Sequence, residues 1–218
     1  MGVWLRIALA LAAPLALAGC LLTPGKFTSK LTINADRSFS YSYIGEVYAL
    51  DPDRITKSDA ADKPDTSAAS KADAEMRNRA IAEALSKEAG YRSVRYLGDG
   101  KFLVDYQVAG SLTHNFIYPF NLDGQAIMPF VAVELRANGT VRVKAPGFAN
   151  ESRDQAGLMS GMKDSSALLD GSFVLDTDAE IVSQNSEDGP LATGGRRTIS
   201  WKVTPLTRDA PVAVLRLR

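Results

Sequence analysis

One side chain in this sequence combines a reactive type with a telling position. Cys20 follows Leu17, Ala18 and Gly19 at the close of an apolar run, and it is the only cysteine among 218 residues. A lone thiol excludes an intrachain disulfide and a cysteine-rich metal site, which leaves modification at sulfur as its chemistry. The other candidates are weaker. His114 is the only histidine, so neither a His-x-x-x-His metal pair nor a Ser-His-Asp triad with a reserve candidate can be built. Ser160 lies in Gly157-Leu-Met-Ser-Gly161, which does not match the G-x-S-x-G elbow. Gly98, Gly100 and Gly124 lack phosphate-loop spacing. Asp51 with Asp53, and Asp176 with Asp178, place carboxylates close enough to hold a hard cation or to exchange protons. Neither pair has the further oxygen ligands of a calcium loop, so both read as solvated turn residues. A hydrolase requires His114 and a carboxylate such as Asp105 to converge in one cleft.

The elements that lead to Cys20 explain its placement. Arg6 supplies a positive start, Ile7 to Ala18 form an apolar stretch, and small residues follow, which is the layout of a secretory signal over residues 1–19. The stretch is broken by Pro14 and falls short of the roughly 20 residues that span a bilayer, so a permanent membrane helix is disfavoured. Leu17-Ala-Gly-Cys20 resembles the lipobox of bacterial lipoproteins. That resemblance implies cleavage before Cys20, a diacylated thiol and an acylated (palmitate-type) amine. At about 0.8 kcal/mol per buried CH₂, several chains together make detachment negligible. In bacteria with two membranes the next residue sorts such proteins. Leu21 in place of Asp implies the outer membrane with the body in the periplasm, and in a single-membrane bacterium the outer face of the cell membrane.

Composition narrows the partners. Lys and Arg number 25 against 25 Asp and Glu, and removal of residues 1–19 takes away Arg6 alone, so the mature chain is nearly neutral. Long-range electrostatics therefore selects no nucleic acid. A hydrophobic fraction of 45% marks a folding chain.

Periodicity then predicts the frame. Residues 20–25 read as a lipidated tether and 26–218 as a single domain. Phe27, Leu31 and Ile33 alternate with Thr28, Lys30 and Thr32, and after a turn at Asn34–Arg37 the pattern resumes at Phe39, Tyr41, Tyr43 and Val47, giving a hairpin. Residues 51–70 are rich in Asp, Lys, Ser and Ala and read as a mobile loop. Ser70 and Asp73 have capping-box spacing before a helix over 72–89, whose stripe is Met76, Ala80, Ile81, Ala84 and Leu85 and whose end is Gly90. Glu75 with Arg79 and Glu83 with Lys87 are favourable i,i+4 pairs.

A second hairpin turns at Gly98–Gly100 with Tyr96 opposite Phe102. A third requires Leu135 opposite Val141 and Val133 opposite Val143, which selects the three-residue loop Ala137–Gly139 and sets Glu134 opposite Arg142. Residues 146–170 are loop-rich, with Leu158, Met159 and Met162 as either a soft contact surface or a patch buried under the loop. Strands follow at Ser172–Leu175, Glu180–Ser183, Thr198–Val203 and Val212–Leu217. The fold class is therefore α+β: a mainly antiparallel sheet built from hairpins with one principal helix packed on it. Phe116, Tyr118 and Phe120 form one aromatic row and Phe39, Tyr41 and Tyr43 another. They either fill the core or line a groove for lipid or glycan, with Tyr41, Tyr43, Phe116 and Tyr118 as its contacts.

The order of elements resembles the LppM-like bacterial lipoprotein domain family. The resemblance rests on the lipidated cysteine, the early hairpin Lys26–Asn34 and Ser38–Tyr48, the helix, and the closing Asp178-Ala-Glu-Ile-Val-Ser-Gln-Asn185 and Arg197-Thr-Ile-Ser-Trp201-Lys-Val203. It implies an α+β domain at the outer face of a membrane, with no catalytic residues to carry over. Many relatives add a C-terminal membrane helix, so in this chain attachment is expected through Cys20 alone. The reading that results is a non-enzymatic, membrane-anchored envelope lipoprotein without cofactor or metal, acting on a protein or lipid partner. A lipid or glycan carrier and a hydrolase of unknown type are the alternatives.

Overall fold

A computed structural model describes residues 21–50, 68–119, 129–150 and 167–217. The signal segment, Cys20, loop positions 51–67, Phe120, Gly124, Ser160 and the Leu158–Met162 cluster lie outside the described residues.

Alternation produces the long first hairpin. β1 (Leu21–Ile33) pairs antiparallel with β2 (Ser38–Leu50) through the turn at Asn34–Arg37, where Arg37 takes a left-handed φ of 72°. The tether expected at 20–25 is in fact strand from Leu21 onward, with Thr23 1% exposed and Leu21 opposite Leu50. A register shift between Pro24 and Phe27 absorbs the proline.

β3 (Tyr91–Gly98) and β4 (Lys101–Ser111) make the second hairpin, with Tyr96 opposite Phe102 as the alternation predicts. β6 (Val131–Leu135) and β7 (Thr140–Lys144) make the third, with Leu135 opposite Val141, Val133 opposite Val143 and Glu134 opposite Arg142. Gly139, at φ 77°, takes the left-handed position that the three-residue loop demands. The ion pair formed at Glu134 is with Arg136, at 3.7 Å.

The remaining strands are β5 (Phe116–Tyr118), β8 (Asp170–Thr177), β9 (Glu180–Gln184), β10 (Leu191–Thr193), β11 (Arg196–Val203) and β12 (Val212–Arg216). They complete two sheets rather than the one expected. The larger runs β10-β11-β8-β1-β2-β4-β3 and the smaller β5-β6-β7-β12-β9. The larger sheet is mixed, because β1 and β8 lie parallel, while every other pairing is antiparallel. The α+β class holds at that coarser level.

One apolar core joins the inner faces of both sheets. Phe27, Leu31, Ile33, Tyr41, Tyr43, Phe173, Leu175 and Ile199 come from the larger sheet, and Tyr118, Val131, Val133, Val141, Val143, Ala213 and Leu215 from the smaller. Phe27 sits between Gly45 on β2 and Gly171 on β8, and its ring stacks on Phe148 at 4.2 Å. A Cβ at Gly45 would stand 2.6 Å from the Phe27 Cα, so the glycine is what lets these strands close on the ring.

The helix α1 runs Ala68–Leu85, so Ser70 lies within its first turn and does not cap it. Its packing is also more local than the predicted stripe. Ile81 and Ala82 are buried, whereas Met76 is 63% exposed, because the helix contacts β3 at one end of the larger sheet and the second sheet supplies most of the cover. The i,i+4 pairs form, Glu83–Lys87 at 2.7 Å and Glu75–Arg79 at 4.0 Å. Gly90, at φ 92°, turns the chain into β3. Among the described residues no helix is long and apolar enough to cross a membrane.

Candidate functional site

The two aromatic rows meet in the space between the sheets. Alternation on β2 turns Tyr41 and Tyr43 inward, and β5 sends Phe116 and Tyr118 toward them from the opposite sheet. Tyr41 lies 5.4 Å from Phe116 and 5.1 Å from Tyr118, ring centre to ring centre, and Tyr43 lies 5.6 Å from Tyr118. Tyr41, Tyr43 and Tyr118 are 1%, 0% and 3% exposed. Tyr41, Tyr43 and Tyr118 therefore lie in the packed core, with the partly buried Phe116 packed against it. The space remaining beside Tyr118, where Ile81 and Leu85 of α1 approach Val47, Phe102 and Phe130, is a slot of about 10 Å³, at the lower limit for a single water.

The buried hydroxyls are satisfied. The Ser29 hydroxyl donates to the Tyr41 hydroxyl at 3.1 Å, and the Tyr43 hydroxyl donates to the Glu46 carbonyl at 2.7 Å. Burial pushes the pKa of Tyr41, Tyr43 and Tyr118 well above the ordinary phenol value, which keeps them neutral and suits packing rather than proton transfer. Near the β1 irregularity the Glu46 carboxylate accepts from Lys101 at 2.6 Å and from Tyr48 at 3.1 Å. Burial alone would raise its pKa, but these hydrogen bonds outweigh it and hold the carboxyl below the usual range.

The polar candidates do not converge. Asp105 lies mid-strand on β4, opposite Ile44 and Ser93. His114 is exposed beyond the end of that strand, with a ring nitrogen 3.0 Å from the Thr113 hydroxyl. From Asp105 to Ser111 alone the strand advances about 20 Å, so no shared cleft joins the acid and the histidine. Asp176 is held by Arg196 and by the Thr198 hydroxyl at 3.3 Å, while Asp178 accepts the Ala35 N–H at 2.7 Å. Each carboxylate of that pair secures a turn or strand end. Among the described residues no group of His, Cys, Asp and Glu could hold a metal ion. Asp51 and Asp53 lie outside them.

The closing motif carries a structural role that spacing alone did not announce. Asn185 accepts from the Trp201 indole at 3.1 Å and from the Val212 N–H at 2.8 Å, and donates to the Ala210 carbonyl at 2.8 Å. One amide thereby ties the end of β9 to β11 and β12.

Among the described residues this architecture defines a two-sheet α+β domain with a packed aromatic interior. It is similar to the folded domain of Mycobacterium tuberculosis LppM, at 16% identity over 90% of this chain and 92% of that one, with a TM-score of 0.39. A second likeness is to an M1 zinc metallopeptidase of Deinococcus radiodurans, at 11% identity and a TM-score of 0.29, in which the match covers 89% of this chain and 42% of that one. Neither likeness assigns a role to a residue. No protein-family model matches the chain, and no curated protein matches it.

Proposed function

We propose that the chain is a non-enzymatic lipoprotein of the bacterial envelope, anchored through acylated Cys20 and acting as an interaction module for a protein or lipid partner. The observation that carries this reading is the junction between anchor and body. The Leu17-Ala-Gly-Cys20 motif ends one residue before β1 begins at Leu21, so about 3.3 Å of chain separates the modified residue from the sheet. Such a junction holds the domain against the membrane by the edge that carries Leu21, Leu50 and the Gly98–Gly100 turn, whose Gly100 carbonyl accepts the Ala49 N–H at 2.8 Å. Leu21 after the cysteine favours the outer membrane, with the body on its periplasmic face.

The separation of His114 from Asp105 supports a role without catalysis. The filled core supports binding through outward surfaces. Mass spectrometry of the N-terminal peptide from membrane-extracted protein tests the reading. The N-terminal peptide should begin at Cys20 and carry acyl chains; an unmodified peptide retaining residues before Cys20 would overturn the proposal.

A further inference from the structure

The outward face of the larger sheet holds the molecule's least expected arrangement of charge. Register places Lys30 on β1 opposite Ser42 on β2, and Ser42 opposite Gln107 on β4. At the end of this row Gln107 bonds Gly90, just before β3, and within β3 Tyr91 is paired with Tyr106 and Ser93 with Asp105, so Arg92 is the extra residue of a β-bulge. A bulge re-aims a side chain. Here Arg92 lines the same open cavity as Gln107, Ser42 and Lys30. Three strand spacings, about 14 Å, separate the backbones of Lys30 and Arg92, a span that a lysine and an arginine can close from either side onto the middle of the row.

The row is the floor of an open cavity of about 370 Å³, lined also by Thr32 and Ser40. That volume falls in the range of small-ligand sites. The lining contributes two cations, four hydroxyl-bearing residues with Tyr41 among them, one carboxamide, the apolar Val108 and Ala109, and no acid. Elsewhere on the fold Lys101 is paired with Glu46 and Arg216 with Glu180 at 2.8 Å. Among the described residues Lys30 and Arg92 form no ion pair. Two carboxylates flank this face: Asp176 on β8 lies opposite Thr32 and is held by Arg196, and Asp105 on β4 lies one row from Gln107, where one oxygen is buried without a hydrogen-bond partner. Their charge weakens the pull on a bare anion and leaves the advantage to a ligand that also exchanges hydrogen bonds with Ser42, Ser40, Thr32 and Gln107.

We propose that this face is a binding site for a small soluble anion of the hydroxylated class, a sugar bearing a phosphate or carboxylate, with Lys30 and Arg92 as its charged contacts and Ser42 and Gln107 as its floor. The site goes beyond the protein-or-lipid interaction-module reading and does not depend on the lipid anchor. Loss of acylation would leave ligand binding intact, and failure of binding would leave the anchor intact.

The test uses the full chain in a neutral detergent, with glucose 6-phosphate, inorganic phosphate and glucose as soluble probes and phosphatidylglycerol vesicles as the membrane probe. Glucose 6-phosphate should shift the backbone amide resonances of Lys30, Ser42, Arg92 and Gln107, binding more tightly than inorganic phosphate or glucose. Lys30→Ala and Arg92→Ala should each weaken it about tenfold, as expected for loss of a charge-assisted contact. Lys30→Arg and Arg92→Lys should retain part of the affinity, while amide spectra away from the row report that the variants are folded. No shift along the row at millimolar glucose 6-phosphate would overturn the proposal. So would affinity unchanged in both alanine variants, or binding to the vesicles alone, which would make the two cations a membrane contact.

Discussion

Tyr43→Ala separates a packed core from a ligand groove. Tyr43 is 0% exposed, its ring lies 5.5 Å from Phe27, 5.6 Å from Tyr118 and 5.5 Å from Phe130, and its hydroxyl donates to the Glu46 carbonyl at 2.7 Å. Removing the ring forfeits its transfer free energy and leaves a cavity between two sheets that cannot both collapse onto it, a loss of about 3–5 kcal/mol. Tyr43→Phe keeps the ring and removes only the hydrogen bond, a loss of about 0.5–1.5 kcal/mol. For a chain of this size each kcal/mol lowers Tm by about 2–4 °C, so the alanine variant should melt roughly 6–20 °C below the parent and the phenylalanine variant within about 6 °C of it. Urea unfolding followed by tryptophan fluorescence measures both, and an unchanged m-value shows that the midpoints report stability. A Tyr43→Ala loss below about 1 kcal/mol, or equal losses in the two variants, would refute the reasoning and return the aromatic rows to the role of a groove wall.

Alkaline titration probes the same core by a different route. The folded pKa values of Tyr41, Tyr43 and Tyr118 are raised by burial above the ordinary value of 10.0, so stability is intact below about pH 10 and falls as pH rises toward the folded values, because the unfolded chain loses those protons first. The slope should approach about 1.4 kcal/mol per pH unit for each of the three phenols, read from urea midpoints, and a flat profile through about pH 11 would contradict their burial. Gly45→Ala drives a methyl to 2.6 Å from the Phe27 Cα on the neighbouring strand and should cost about 1–3 kcal/mol in the same assay. A neutral Gly45→Ala would mean that β1 and β2 stand farther apart at Phe27 than the structure places them.

Local pairing was legible in the sequence and distant pairing was not. Tyr96 opposite Phe102 and Leu135 opposite Val141 follow from alternation meeting a short turn with glycine at the left-handed position, and both registers form. Alternation says which residues of a strand face inward but not which sheet the strand joins. The parallel pairing of β1 with β8 and the assignment of β9 and β12 to a second sheet are therefore set by closure of the whole core. The helix shows the same limit. Ile81, Ala84 and Leu85 lie at the spacing of a packed stripe, yet Met76 on that stripe is exposed because α1 meets the sheet over only part of its length. The aromatic rows were visible as rows, and only the approach of β5 to β2 turned them into a filled core. Arg92 drew no notice in the sequence, since a bulge of one residue leaves the hydrophobic pattern of β3 nearly unmarked.

Membrane fractionation of cells expressing the parent and Cys20→Ala tests the central proposal most directly. The parent should sediment with the outer membrane, while Cys20→Ala should be recovered in the soluble periplasmic fraction with an unchanged urea midpoint, because the described core is built from residues after Cys20, with β1 starting at Leu21. A Cys20→Ala protein that stays with the membrane, or that is exported but unfolded, would contradict the account.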